Sequence, residues 1–219
     1  MVITIDGLSG NGKTTLSDMI ANHLGFKRVS AGDFFRCITY EMLTKGLDID
    51  NNRDQTIEYL NTLDISYDDN NNVLLNGINV TDAIRTKEVS INSSKIANNK
   101  DVQNIVTLLQ RHYLDKNNVV LDGRDVGTRV APDADYKFYI YADKETRVKR
   151  LMAEKPDVDR VEIEKELDAR DLYDLRGNFV RPTGAFEIET SNKTLEQVFG
   201  EMIEKIDPNK PRTIIEAND

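Results

Sequence analysis

The period of the hydrophobic positions changes several times along the chain, and each change marks an element. Val2–Ile5 is a short β-branched run that stops at Asp6-Gly7, the pattern of a buried strand entering a turn. From Thr14 the apolar positions shift to helical spacing, at Leu16, Met19, Ile20 and Leu24, and Gly25 is a natural stop. Lys27–Ser30 reads as a second short strand, followed by an aromatic-rich helix from about Asp33 to Leu43. Further strands are predicted at Val119–Leu121, which runs into Asp122-Gly123, at Tyr136–Tyr141, and more weakly at Phe186–Thr190. A last amphipathic helix carries Leu195, Val198, Phe199, Met202, Ile203 and Ile206 on one face. Strands alternating with helices over this length predict an α/β protein with a parallel sheet covered on both sides.

Two regions depart from that alternation. Between about Leu63 and Arg85 the runs Ile65–Tyr67 and Val73–Leu75 are short and alternating, with a polar Asp68–Asn72 stretch between them and Asn76-Gly77 after them. This is the signature of a small antiparallel β-piece. The charged stretch from Asp157 to Arg181 ends in loop-forming residues and reads as a mobile helical hairpin. The tail after Pro208 is polar and is expected to fray. No internal repeat is found.

Composition narrows the possible functions. At roughly 150 residues per domain, 219 residues make one large domain, with room for a small inserted piece. The 29 basic residues against 38 acidic ones leave a net charge of -9, which disfavours broad binding to nucleic acid or to an anionic membrane. A single cysteine, Cys37, excludes an intramolecular disulfide framework, and His23 and His112 are too few for a histidine-rich metal cage. No apolar run reaches the roughly 18 residues of a membrane span, and Met1–Asp6 lacks a basic leader. The expectation is a soluble, cytoplasmic, monomeric protein with small-molecule partners.

The clearest chemistry lies at Gly7–Thr14, Gly-Leu-Ser-Gly-Asn-Gly-Lys-Thr, which fits G-x-x-x-x-G-K-[ST] at every fixed position. Its glycines let consecutive backbone N–H groups turn inward toward phosphate oxygens, and the following helix adds its positive end. Lys13 is placed to reach the β- and γ-phosphates, and the Thr14 hydroxyl to ligate Mg²⁺. A strand before and an amphipathic helix after supply the context the motif requires. A glycine-rich turn that binds nothing is the plain alternative. Asp122, at the end of an apolar strand, fits a carboxylate that holds Mg²⁺ through water, or else an ordinary turn residue. The guanine-reading N-K-x-D tetrad of switch GTPases is absent; Asn98–Asp101 has its lysine directly against the aspartate and is expected to be loop.

Beyond the phosphate loop the chain resembles the bacterial-type cytidylate kinases, within the P-loop nucleoside monophosphate kinases. The matching stretches are Ile3–Thr14, Ser30–Arg36, Ile84–Val89, Leu121–Thr128 and Pro132–Ala134, with Arg170-Asp171, Asp174 and Glu189–Ser191. The run Asp-Gly-Arg-Asp-x-Gly-Thr from Asp122, together with the 63–85 piece, is the selective part. The resemblance implies a single P-loop kinase domain over 1–219. Its core would be 1–30 and 115–145, its monophosphate-binding region 31–112 with the β insert, and its helical lid 146–183, before a return to the core over 184–207. It implies an enzyme that moves the γ-phosphoryl group of ATP to CMP or dCMP, reversibly and with Mg²⁺. The donor would be held by Gly7, Leu8, Ser9, Gly10, Asn11, Gly12, Lys13, Thr14 and Thr15.

A kinase of monophosphates must hold two polyanions side by side, which calls for guanidinium groups at the acceptor phosphate. The resemblance assigns Arg36, Arg124 and Arg170 to that clamp, with Lys13, Arg124 and Arg170 as the catalytic cations. Arg36 could instead decorate a helix, and Arg170 could pair with Asp174 one turn on. The resemblance places Asp125 at the cytosine amine with Ser94 beside it, and Asp174 at the ribose hydroxyls; a structural Asp125–arginine pair is the alternative. Two positions depart from the family pattern. Gln103 stands where an arginine is usual, either facing the base or pointing to solvent. In the lid Gly177 replaces an arginine, leaving Arg176 or Arg181 to serve. Arg147 and Arg150 either touch the donor nucleotide or lie on a solvated helix face. The rivals are a kinase of UMP or AMP and, in another class, a non-catalytic nucleotide-binding switch.

Overall fold

The structure is a computed structural model that describes residues 1–176, 179–207 and 209. The chain folds as two compact units, one formed by Met1–Arg28 with the chain from Val119, the other by the stretch from Val29 to Asn118.

The first unit is built on the short apolar strands that the sequence marks. Strand β1 (Val2–Asp6) is buried along its whole length, and α1 (Lys13–Leu24) follows the glycine-rich turn and stops at Gly25, which takes the left-handed conformation. With β2 (Lys27–Ser30), the later strands β6 (Val119–Gly123), β7 (Tyr136–Tyr141) and β8 (Phe186–Glu189) complete a five-stranded sheet in the order β2-β6-β1-β7-β8. β1 pairs in parallel with β6 (Ile5 opposite Asp122) and with β7 (Ile5 opposite Phe138), and β7 pairs in parallel with β8. Because β1 and β6 run together, their ends at Asp6 and Gly123 open on one edge, where crossover loops of a parallel sheet gather functional groups. Ile3, Ile5, Leu16, Ile20, Phe138 and Ile140 form the core with Val198 and Met202 of α8 (Leu195–Ile203), which begins in a capping box of Thr194 and Gln197.

Helices α6 (Lys144–Glu154) and α7 (Arg160–Arg176) join through a small apolar cluster of Val148, Ile163 and Leu167. The stretch expected to be a hairpin over 157–181 is thus mostly one helix, and its partner lies before it in the chain. Few apolar positions betray α7, because only Ile163 and Leu167 of it are buried in that cluster and the rest of its surface is mostly charged. Arg160 pairs with Glu164 one turn on and with Glu145 of α6, and Lys144 pairs with Asp168. Among the described residues no helix is long and apolar enough to cross a membrane. Gly177 and the tail beyond Pro208, apart from Asn209, lie outside the described residues.

The second unit holds α2 (Ala31–Lys45), α3 (Arg53–Leu60), α4 (Lys87–Ile96) and α5 (Lys100–Lys116) with the three-stranded antiparallel sheet β3 (Ile65–Tyr67), β4 (Val73–Leu75) and β5 (Ile78–Asn79). Asn76 and Gly77 both have positive φ, 50° and 78°, and close the tight β4–β5 hairpin. Tyr67 stacks edge-on against Tyr113, and its hydroxyl lies 3.4 Å from the buried Asp33 carboxylate. The Asn98–Asp101 tetrad is only half loop, since the Asn99 side chain accepts the N–H groups of Asp101 and Val102 and so caps α5.

One close approach in the first unit is at Gly127, in the irregular turn Val126–Val130. A Cβ there would sit 2.7 Å from an Asp6 carboxylate oxygen and 2.8 Å from the Thr4 hydroxyl. Gly127→Ala is therefore expected to lower stability by about 1–3 kcal/mol, the usual cost of overpacking. Gly200→Ala, in α8 where nothing lies within 4 Å of the new methyl, should raise stability by roughly 0.5–1 kcal/mol. Chemical denaturation of the two variants beside the native protein measures both signs.

Candidate active site

The glycine-rich turn after β1 adopts the bend that its sequence predicts. Gly12 takes φ 82° as the residue before α1, a conformation that L side chains rarely adopt. Ser9, Asn11 and Lys13 are buried, while Thr14 and Thr15 face outward on the first turn of α1. The Lys13 ammonium donates to the Leu8 carbonyl at 2.8 Å. Burial, with the Arg124 guanidinium adding to it, brings Lys13 from its ordinary 10.5 down to about 7. The Asn11 side-chain oxygen is buried with no hydrogen-bond partner among the described residues.

Asp6 is the buried carboxylate on which the next loop rests. It accepts the backbone N–H of Val126 at 2.7 Å and of Gly127 at 2.9 Å. Burial pushes its carboxyl up to about 6 against the pull of those two N–H groups, and the charge of Asp125 pushes the same way. In the sequence this residue ends the first apolar run and looks like a turn signal only. An acid closing a buried strand has to find donors, and that was the available clue.

Arg124 stands on this loop, with its Nη2 donating to the Ser9 hydroxyl at 2.8 Å and its Nε to the Asp174 carboxylate at 2.6 Å. The structure thus brings Arg124, Asp174 and the phosphate loop together. Arg170 is exposed, and among the described residues it makes no ion pair, so the Arg170–Asp174 alternative is not what forms. Asp125 does make the structural pair raised as an alternative, with Arg129 one turn on at 2.9 Å. Asp122, at the end of β6, accepts from Arg28 through Nε at 3.1 Å and Nη2 at 2.8 Å. Nothing in the sequence pattern pointed to Arg28, because the two residues lie 94 positions apart.

Neither Arg147 nor Arg150 lies on a solvated face. Arg147 is buried, grips both Asp171 oxygens at 3.0 and 2.5 Å and donates to the Ser9 carbonyl at 3.2 Å. Arg150 donates to the hydroxyl and carbonyl of buried Thr190. Arg181 lies 4.8 Å over the Tyr139 ring and pairs with Glu187 at 3.0 Å, whereas the Arg176 side chain lies outside the described residues.

Three of the expected site residues belong to the second unit. Arg36 lies 3.7 Å from Asp33, and Gly32 leaves room for its guanidinium, which a Cβ would meet at 2.9 Å. The Ser94 hydroxyl donates back to the Ser90 carbonyl of its own helix at 3.2 Å. Gln103 does not point freely to solvent. Its amide nitrogen donates to the Ala97 carbonyl at 2.7 Å and braces the turn into α5.

A sequence model of the family described as cytidylate kinase matches residues 3–208. The chain belongs to the cytidylate kinase family. A protein named cytidylate kinase from Clostridioides difficile is 37% identical, the match covering 94% of this chain and 98% of that one. Its namesake from Ureaplasma urealyticum is 33% identical, with 92% and 93% covered. Among solved structures, a shikimate kinase from Bacteroides thetaiotaomicron aligns with a TM-score of 0.50 at 12% identity, covering 93% of this chain and 97% of that one. An uncharacterized protein from Eubacterium ventriosum aligns with a TM-score of 0.51 at 15% identity, covering 93% and 96%. These structural likenesses show a shared α/β fold, and membership of the cytidylate kinase family establishes an enzyme.

The depressed Lys13 has a direct consequence for this family member. Between about pH 7 and 10.5 the unfolded chain binds the Lys13 proton more tightly than the folded one, so this group makes the nucleotide-free protein more stable as pH rises through that window. Phosphate charge beside the ammonium should restore its proton. Calorimetric titration with ATP at pH 8, in two buffers of different ionisation enthalpy, is expected to show net proton uptake that Lys13→Met abolishes.

Proposed function

We propose that the protein transfers the γ-phosphoryl group of ATP to the 5′-phosphate of CMP or dCMP, reversibly and with Mg²⁺. The observation that carries the reading is the Arg124–Ser9 hydrogen bond, which holds a guanidinium against the donor phosphate loop. A switch that binds only one nucleotide has no need of a second phosphate-gripping cation there. Family membership supports the acceptor class, and the Asp-Gly-Arg-Asp stretch supports cytosine as its base.

The acceptor is itself an anion, so no general base is required, and positioning with charge neutralisation carries the rate. The loop Gly7–Thr15 wraps the donor phosphates with its backbone N–H groups, and Lys13, released from the Leu8 carbonyl, follows the migrating charge. Arg124 keeps N–H groups beyond the two that hold Ser9 and Asp174, and these grip the acceptor phosphate. Arg170 and Arg36 are the further cations assigned to it. Asp125 turns from Arg129 to accept the cytosine amine, with Ser94 and Gln103 as neutral partners and Asp174 for the ribose. Hardness and charge of the donor set favour Mg²⁺ at this edge. Thr14 is exposed on the first turn of α1, and Asp122 at the end of β6 is a hard oxygen donor. Thr14 would bind the ion directly and Asp122 through water. The chemistry such an ion would supply is neutralisation of phosphate charge.

One assay separates the readings: ADP release from ATP and Mg²⁺, with CMP, dCMP, UMP or AMP offered singly. Stimulation by CMP and dCMP is expected. Stimulation by UMP or AMP alone would reassign the acceptor, and none by any would leave a nucleotide-binding switch. Lys13→Ala should lose more than nine-tenths of turnover, since comparable contacts contribute about 3–4 kcal/mol. Arg124→Lys, which keeps the charge and loses the fork, should raise the CMP KM and lower kcat far more than it changes ATP affinity measured without acceptor.

A further inference from the structure

Two arginines converge on Ser9 from different elements, and each is tied at its other end to a carboxylate of α7. Arg124 donates to the Ser9 hydroxyl and to Asp174, while Arg147 donates to the Ser9 carbonyl and to Asp171. Asp171 and Asp174 are three residues apart, so they share one face of the helix. The contacts therefore close a ring: Ser9, Arg124, Asp174, one turn of α7, Asp171, Arg147 and back to Ser9. Ser9 is 7% exposed, Arg147 6% and Asp171 and Asp174 partly buried, so most of the ring is shielded from the water that weakens exposed ion pairs. The ring has one neutral side-chain link, the Ser9 hydroxyl. It is also the only member that belongs to the phosphate loop.

We propose that the Ser9 hydroxyl is the positioning residue that couples donor binding to acceptor binding, by fixing Arg124 once the phosphate loop is filled. The proposal rests on the kinase reading above. Phosphates in the loop immobilise Ser9, whose hydroxyl then holds Arg124 Nη2 in place, so the acceptor meets a guanidinium already oriented. The same link runs in reverse, because coupling between two bound ligands is reciprocal. The Arg147 contact uses the Ser9 carbonyl and survives any change of side chain, so a substitution at Ser9 isolates the Arg124 arm.

The test is the ratio of CMP dissociation constants without and with a saturating non-hydrolysable ATP analogue and Mg²⁺, measured calorimetrically. Because a ratio is read, any change in the variant's own affinity for the analogue cancels. The native protein is expected to show a ratio of about 5 or more, the lower end of ordinary coupling. Ser9→Ala should bring the ratio to within about twofold of unity, and Ser9→Thr, which keeps a hydroxyl, should restore most of it. If the alanine variant fails to bind the analogue, Ser9→Cys keeps the volume with a poor acceptor and should show the same loss. A native ratio near unity, an undiminished ratio in Ser9→Ala, or no rescue by threonine would each overturn the proposal. CMP-stimulated ADP release by the native protein is run alongside. Its absence counts against the kinase reading, whereas its presence with an unchanged ratio counts against Ser9 alone.

Discussion

Asp6 is a carboxylate taken out of water at the end of a fully buried strand, and much of the first unit is arranged around keeping it satisfied. A buried acid with no donors would cost several kcal/mol or give up its charge. Asp6 meets that constraint with two backbone N–H groups of the next crossover loop, at Val126 and Gly127. The loop can approach so closely only because Gly127 carries no side chain. The position of Arg124, two residues before Val126, follows from that contact. The glycine-rich loop at the end of β1 and the Arg124 loop at the end of β6 are thereby locked together.

A second layer of charge completes the edge. Arg124, Arg147 and Arg28 each meet a carboxylate across a long stretch of chain, at Asp174, Asp171 and Asp122. Such a balance suits a site that has to admit polyanions: cations concentrated enough to hold phosphates would repel one another in an empty site, and the carboxylates hold them apart. Lys13 shows the strain of the arrangement, since burial and the neighbouring Arg124 depress its proton affinity. Its ammonium rests on the Leu8 carbonyl, a neutral acceptor.

The second unit solves a different problem. Its helices α2 and α5 pack with a hairpin sheet that is too short to stand alone, and Tyr67 and Tyr113 anchor that sheet through edge-on ring contact. The residues there that the family resemblance assigns to the acceptor are held by local bonds, Arg36 near Asp33, Ser94 to Ser90 and Gln103 to Ala97. Gln103 is instructive, because an amide brace to a backbone carbonyl is a reason for glutamine at this position that has nothing to do with the base.

What the sequence by itself determined is what depends on near neighbours along the chain. The β-branched runs, the helical spacing after Thr14, the stops at Gly25 and Asn76-Gly77 and the phosphate loop are each written in fewer than about a dozen residues, and all of them form. The helix Arg160–Arg176 was only half legible, since its buried apolar face is as short as Ile163 and Leu167 and the remaining positions are mostly charged. Tertiary structure alone decided the distant partners of the charged groups: that Asp6 holds Val126 and Gly127, that Arg28 takes Asp122, and that Arg124 takes Asp174. Residues such as Arg28 and Asp122 are 94 positions apart, and no periodicity carries information over that distance. A guanidinium fits any carboxylate the fold brings within 3 Å, so the chain specifies the charges and the folded backbone chooses the pairs.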